Sequence, residues 1–480
     1  MRKFVAVSSL ALVAAAPPPS TDAKLRAIVA PVSAAQLRAN VEKLVSFGTR
    51  HTLSSQTDPK RGIGAALEWG RSEFQRYSAA CGNCLTIVDP SEVFTNDRIP
   101  TPTRVRDMVA IQRGTERPND VVIITGHIDS RVSDPMNATS DAPGANDDGS
   151  GSSTVLEAAR ILSKHKFPGT IVYSLDSGEE QGLNGAKVIA NYAKAQGWNV
   201  IADLNNDIVG NSRGSDGIKD DTHIRIFSEG PRWQGHEDLA ARQRSLGGEN
   251  DAPGRNISRY LDSLADRLNI GLDVRQIWRN DRFGRGGDHS EFLNLGFPAV
   301  RFTVAVENYN WQHQDLRTEN GIKYGDTIEN MDFAYLAKVA KLNIAALAGI
   351  ASAPPPPEPK VEGAVSTDTT ITWPIVPGAA SYIIWWRRTD ANQWEVSRAD
   401  TSDANGRQPN VECDTPVHVV GTTQSSGGCF RKRVLPHIRV DDWVFGVSSV
   451  SKDGFESPVA SAVPGGAFKP YVAPPPPAKK

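Results

Sequence analysis

Five side chains of metal-ligating type fall in order along the chain: His127, Asp147, Glu180, Asp207 and His313. Two imidazoles and three carboxylates, with no thiolate, suit hard or borderline divalent cations, and zinc best because two histidines are present. Glu179 stands directly beside one of these residues, and adjacent carboxylates in an irregular turn project in different directions. One can hold a cation while the other stays free as a general base toward an attacking water. The chemistry that follows is metal-assisted hydrolysis of an amide, with two ions.

Each candidate sits in a short motif at the end of an expected strand or in the loop after it. Residues 121–125 form an apolar run into Gly126, and His127 emerges at its carboxyl end. Asp129, two positions on, is counted with Glu179 among the catalytic residues, placed to accept the imidazole's other N–H and fix its tautomer. The segment Pro143-Gly144-Ala145-Asn146-Asp147-Asp148-Gly149-Ser150-Gly151 leads into a helix, whose N-terminus favours negative charge. There Asp147 can offer one oxygen to each of two cations, with Asp148 as the capping neighbour. Ser177-Gly178-Glu179-Glu180-Gln181-Gly182 follows a strand ending at Leu175, and Asp207 follows another. Two histidines compete for the last place. His289, in Asp288-His289-Ser290-Glu291-Phe292, opens a helix, whereas His313 lies in a loop after a strand, as the other ligands do. His313 is therefore the expected ligand, with Asp288 and His289 ordering the pocket and Tyr309 on its substrate side. Singly, each motif reads as well as a core histidine, a helix cap or a solvated acidic loop; five in succession, each after a strand, do not.

The elements that must position these residues are visible as alternating patterns. Helical periodicity covers residues 33–47, 64–78, 153–163, 183–195 and 333–350, and strand-like runs cover 121–125, 170–175, 200–204 and 299–304. Alternation of this kind builds an α/β fold, a mostly parallel mixed sheet sandwiched by helices, with ligands at the carboxyl ends of strands where the topology switches. The expected divisions are a leader at 1–23, a catalytic domain at 24–352, a proline-rich extended linker at 353–358, a β-sandwich at 359–466 and a Pro/Lys tail at 467–480.

Composition narrows the partners. A net charge of −2 over 480 residues supplies no polybasic field for nucleic acid or anionic lipid, and no internal apolar stretch is expected to span a bilayer. Arg2 and Lys3 precede an apolar run from Phe4 to Ala16, the layout of a cleavable signal peptide, so the product is expected to be secreted or periplasmic. Four cysteines fall in two local pairs, Cys81 with Cys84 and Cys413 with Cys429, which fits structural disulfides in an oxidising compartment. A zinc-ribbon reading of Cys81-Gly82-Asn83-Cys84 lacks a second pair at suitable spacing.

From about residue 46 to 332 the motifs Gly126-His127-Ile128-Asp129-Ser130, Gly144-Ala145-Asn146-Asp147-Asp148-Gly149, Gly178-Glu179-Glu180-Gln181-Gly182-Leu183, Asn206-Asp207-Ile208-Val209-Gly210 and Asp288-His289-Ser290-Glu291-Phe292 resemble the di-zinc aminopeptidases of clan MH. That clan also holds zinc carboxypeptidases and glutaminyl cyclases. The resemblance implies two zinc ions, one on His127, Asp147 and Asp207, the other on Asp147, Glu180 and His313, with Asp147 bridging. It also implies Glu179 as general acid/base and peptides or proteins with a free N-terminus as substrates. The departure is at the end: relatives often read Tyr-His-Thr soon followed by Asp, whereas here Trp311-Gln312-His313 precedes Gln314-Asp315-Leu316-Arg317, and Gly325-Asp326-Thr327 comes later. No inserted lid domain is expected within residues 85–120. Residues 359–464 resemble a fibronectin type III domain through Thr370-Ile371-Thr372-Trp373, Pro377-Gly378-Ala379-Ala380-Ser381-Tyr382 and Trp443-Val444-Phe445-Gly446-Val447. That implies an appendage binding protein, glycan or envelope, or acting as a spacer. The rival readings are a single-zinc glutaminyl cyclase and a non-catalytic binding module; the complete ligand set and the Glu179-Glu180 pair argue against both. Residues 227–283 and 302–309 are expected to line the specificity pocket, with Arg282 and Arg285 as exposed cations able to meet carboxylates.

Overall fold

The structure is a computed structural model that describes residues 20–232, 237–400, 411–413 and 429–462. Helices α1 (Thr21–Val29), α2 (Ala34–Val45) and α3 (Ile63–Ala80) lead into strands β1 (Leu85–Val88), β2 (Ser91–Asn96), β3 (Ile99–Arg106), β4 (Met108–Gln112) and β5 (Arg117–His127). Next come α4 (Gly149–Leu162), β6 (Gly169–Asp176), α5 (Asn184–Ala195), β7 (Asn199–Asn206) and β8 (His223–Phe227). After them lie α6 (Glu237–Leu246), α7 (Pro253–Leu268), β9 (Asp273–Ile277), α8 (His289–Asn294) and β10 (Ala299–Val304). A hairpin of β11 (Arg317–Glu319) and β12 (Ile322–Tyr324) precedes the long α9 (Phe333–Ser352).

One eight-stranded sheet organises the first 350 residues, in the order β1-β4-β6-β5-β7-β10-β8-β9. Its centre, β6-β5-β7-β10, is parallel; β4 pairs antiparallel with β6 and β8 antiparallel with β10. The period-2 rule assigns the faces. In β5, Val122 and Ile124 join the core that holds α2, α4, α7 and α9, while Val121 and Ile123 join the core beneath α5 and α8. Strands covered on both sides read as continuous apolar runs, which is why residues 121–125 and 170–175 are legible as strands. Truncating one such side chain, as in Ile124→Ala, costs about 2–5 kcal/mol. β5 sits between its sequence successors β6 and β7, so the connections diverge at its carboxyl end. That is the topological switch where clefts form.

The helices begin where side chains can cap them. Ser33 accepts from Gln36 N–H at α2, and Asp332 accepts from Tyr335 N–H at α9. By length and composition α9 could cross a membrane, against the expectation that no internal stretch is long enough; it is buried along most of its length and serves as a core helix. Ser20 caps α1, so the first turn of that helix falls within the segment assigned to the leader. Residues 1–19, which carry the signal-like run, lie outside the described residues, as does the tail from 463.

Beyond α9 the linker region 353–359 runs without helix or strand into two four-stranded antiparallel sheets. One contains β13 (Lys360–Glu362), β14 (Thr369–Pro374), β17 (Val411–Cys413) and β18 (Cys429–Leu435); the other contains β15 (Ser381–Arg388), β16 (Val396–Asp400), β19 (Trp443–Val450) and β20 (Ala460–Ser461). Ile371 and Trp373 from one sheet share a core with Tyr382, Ile384, Phe445 and Val447 from the other, which makes the pair a sandwich. It is docked on the catalytic part. Arg387 reaches Asp251 at 2.7 Å, and Arg259 of α7 donates to the Asn392 carbonyl at 2.7 Å with its guanidinium between the rings of Trp278 and Trp394. Cys81 and Cys84 form a disulfide at 2.01 Å, and Cys413 is the register partner of Cys429, its side chain lying outside the described residues.

Candidate metal centre

β5 delivers His127 because Gly126 lets two backbones meet. A Cβ there would lie 2.6 Å from the Gly151 carbonyl carbon, so only glycine admits the first turn of α4 against the strand. Asp148 caps that helix, accepting from Gly151 N–H at 2.8 Å, and also takes the N–H groups of His127 at 3.1 Å and Ile208 at 3.3 Å. One buried carboxylate thus ties together the ends of β5 and β7 and the start of α4. The Asp147–Asp148 peptide bond is cis.

The five expected ligands converge. His127 Nε2 is 3.2 Å from Asp147 Oδ1 and 4.0 Å from Asp207 Oδ1, and His313 Nε2 is 2.8 Å from Asp147 Oδ2 and 3.1 Å from Glu180 Oε1. Two ligand sets result, His127–Asp147–Asp207 and Asp147–Glu180–His313, with the atoms of each within 4.8 Å of one another and Asp147 common to both. His127 Nε2, Glu180 Oε1 and Asp207 Oδ1 are buried without a hydrogen-bond partner among the described residues. Orphans of this kind cost about 1–3 kcal/mol each. A divalent cation in each set would satisfy them, one meeting His127 and Asp207 and the other Glu180, and the His/carboxylate donors fit zinc.

The charges of the site answer one another. Burial works against charge on His313, but Glu180 and Asp147 outweigh it and hold the imidazole up at about 10. Burial likewise opposes ionisation of Glu180, yet the His313 charge brings it down to about 2. Glu179 moves the other way. Burial pushes its carboxyl up to about 8, with the neighbouring Glu180 charge adding to the rise, and its oxygens have no hydrogen-bond partner among the described residues. It is a carboxylate left free beside the ligands.

Asp129 is a positioning residue, where the sequence reading placed it among the catalytic ones. Fully buried, it accepts from Glu179 N–H at 3.3 Å, Glu180 N–H at 3.2 Å and Thr52 Oγ1 at 3.1 Å, and its Oδ1 lies 3.4 Å from His127 Nδ1. It acts through those groups. His289 belongs to neither ligand set; its Nε2 meets the Asn280 carbonyl at 2.9 Å. Asp288 is buried with both oxygens unpartnered among the described residues, and burial, then the charges of Asp176 and Glu179, raise its carboxyl. Tyr309 is 60% exposed on the loop after β10. Arg282 is no exposed cation: it is buried against Asp281 and Glu307, each at 3.1 Å, and Arg285 reaches Glu307 at 3.6 Å.

Three site residues escaped the sequence reading. Arg131 pairs with Glu180 at 2.8 Å, Arg301 pairs with Asp207 at 2.7 Å, and Asp326 accepts from Asn146 N–H at 2.9 Å and Asp147 N–H at 2.7 Å. A signal existed for Arg301, a charge inside the apolar run Ala299-Val300-Arg301-Phe302-Thr303-Val304, since such a charge must find a buried partner.

The sequence profile of peptidase family M28 matches residues 107–339. A probable zinc metalloprotease of Leptosphaeria maculans is 41% identical over 452 residues, covering 93% of this chain and 98% of the relative. The chain belongs to peptidase family M28. A second probable zinc metalloprotease, from Pyrenophora tritici-repentis, is 41% identical over 455 residues, covering 93% and 88%. The solved LapA aminopeptidase of Legionella pneumophila shares the fold of this M28 chain, with a TM-score of 0.50, 20% identity, and 68% of this chain and 75% of that one covered. Membership makes the protein a peptidase, a hydrolase acting on peptides. The motifs that carry the ligands all fall inside the matched region.

Proposed function

We propose that this M28 chain is an exported aminopeptidase that holds two zinc ions and removes residues from the free N-terminus of peptides or proteins. The observation that carries it is the pair of ligand sets sharing Asp147, with the free carboxylate of Glu179 next to Glu180. The names of its relatives, probable zinc metalloproteases, and of its fold neighbour, an aminopeptidase, point the same way. His127, Asp147 and Asp207 would hold one ion, and Asp147, Glu180 and His313 the other. Bound zinc supplies Lewis acidity that polarises the scissile carbonyl and makes water easier to deprotonate.

The chain's own residues do the rest. Glu179 takes the proton of the attacking water and returns it to the departing amine, and the partial burial that raises its carboxyl suits it to transfer near neutral pH. Asp129 keeps His127 turned toward the ligands and fixes the backbone that carries Glu179 and Glu180. Carboxylates crowded at the cleft floor favour a substrate's α-ammonium group over a carboxylate terminus. Phe283 and Tyr309, 88% and 60% exposed, lie on two loops joined by Arg282–Glu307 and Arg285–Gln312 contacts and offer apolar surface to the first side chain. Export rests on the signal-like N-terminus, and the sandwich, read as fibronectin type III-like, would engage protein, glycan or cell envelope.

The test pairs zinc content with hydrolysis of aminoacyl-nitroanilides. Glu179→Ala is expected to keep its zinc and lose about 10²–10⁴-fold in kcat, the range for a positioned general base. Full activity in that variant, or wild-type protein that cyclises N-terminal glutamine instead of releasing residues, would sink the reading.

A further inference from the structure

Arg131 stands against one of the two ligand sets. Its Nε donates to Glu180 Oε2 at 2.8 Å, and its Nη2 lies 2.7 Å from His313 Nδ1. Its Nη1 faces only the carbonyls of Val132 and Ser133, at 3.3 and 3.4 Å, and Glu180 is its sole carboxylate partner among the described residues. A guanidinium has five donors and no acceptor, so the proton on His313 Nδ1 that ligation through Nε2 requires would point at a cation. Ligating histidines usually do the reverse, donating the outer N–H to a carboxylate or carbonyl and gaining basicity. His127 has that usual backing, its Nδ1 facing the Asp129 carbonyl at 3.2 Å and Oδ1 at 3.4 Å.

The other set also meets an arginine, but a neutralised one. Arg301 touches Asp207 Oδ2 at 2.7 Å while sharing its charge with Asp281, which is no ligand, at 2.5 Å. Both residues are buried, so that compensation is not screened by solvent. Arg131 has no such second carboxylate. Its charge falls wholly on the ligands Glu180 and His313.

We infer that Arg131 makes the two metal positions unequal: the one built on His127 and Asp207 holds its ion tightly, and the one built on Glu180 and His313 holds its ion weakly and exchanges it. The inference rests on the two-ion reading above. Arg131 is a positioning residue, turning Glu180 Oε1 and His313 Nε2 toward Asp147 while its charge opposes a second cation. Repulsion between a guanidinium and a divalent ion a few ångströms away outweighs the orienting hydrogen bonds, so removing the charge tightens the weak position.

The test is titration of metal-stripped full-length protein with Zn²⁺ against a chromophoric chelator. Wild type is expected to take up two ions in clearly separated steps, and His313→Ala to lose only the weak one. Arg131→Met should tighten the weak step by about 10–100-fold, the scale on which residues behind a ligand act, whereas Arg131→Lys, keeping the charge, should leave it weak. Equal steps in wild type, loss of the tight step in His313→Ala, a weak step unmoved or weakened in Arg131→Met, or equal tightening in Arg131→Lys would each overturn the inference. No uptake, or a single ion in both wild type and Arg131→Met, would instead remove the two-ion reading. Should Arg131→Met not fold, the steps of wild type, His313→Ala and Arg131→Lys still decide.

Discussion

Asp326 accepts two consecutive backbone N–H groups, those of Asn146 and Asp147, and so fixes the residue shared by both ligand sets. It lies 13 positions beyond His313, with the exposed β11–β12 hairpin between them. Asp326→Ala leaves two buried donors unsatisfied and is expected to cost about 1–3 kcal/mol for each. Zinc affinity should fall about 10–100-fold with it; thermal unfolding and retained zinc after dialysis measure the two effects. The candidate ligands were legible because each sits in a short motif, four at a strand's end or in the loop after it and Asp147 just ahead of α4. Arg131, Arg301 and Asp326 were not, since their partners are far away in sequence and nothing local marks the pairing. His313 was preferred to His289 for its place after β10, and it is His313 that lies against Asp147 and Glu180; Asp129 was recognised as a neighbour of His127 though not for the backbone it holds.

At the scale of elements, Glu307 joins the loop after β10 to β8 and to the loop before α8. It meets Arg225 at 2.5 Å and Arg282 at 3.1 Å, and Arg285 at 3.6 Å. Burial opposes its charge, but Arg282 and Arg225 hold the folded carboxyl below its ordinary 4.5. A folded value lower than the unfolded one stabilises the native state fully above about pH 4.5, and that contribution is lost as pH falls through the folded value. Glu307→Gln is therefore expected to cost about 3–5 kcal/mol near neutrality, the range for breaking a buried pair. The gap from wild type should close in acid below pH 4.5, as urea denaturation at a series of pH values would record. Elements covered on both faces, β5, β6, β7 and β10, announce themselves as apolar runs. β8 and β9 do not, because charged residues alternate in His223–Phe227 and Asp273–Ile277. α7 was missed for a related reason: it carries six charged or asparagine positions in Pro253–Leu268, and arginines 255 and 259 are buried only by partners elsewhere.

For the whole molecule, the proline-rich segment reads as an extended linker, and the structure seats the sandwich that follows it on α7. Asp251 accepts from Arg387 and from Ser461, both across the boundary, and Gln393 donates to the Arg259 carbonyl. Buried polar contacts of this kind are invisible in a sequence because each half looks solvated by itself. Asp251→Ala strands the Arg387 and Arg259 cations; calorimetry is expected to resolve one unfolding transition in wild type and two in the variant. The ligands offer a last consequence. They come from the ends of four strands, β5, β6, β7 and β10, or the loops after them, and from the approach to α4, in segments as far apart as His127 and His313. Ions seated there would close long loops of chain as a cross-link does, removing conformational freedom from segments that otherwise end in turns. Metal supply would then govern survival as well as turnover: stripped of its ions among other proteases, the enzyme would itself become digestible.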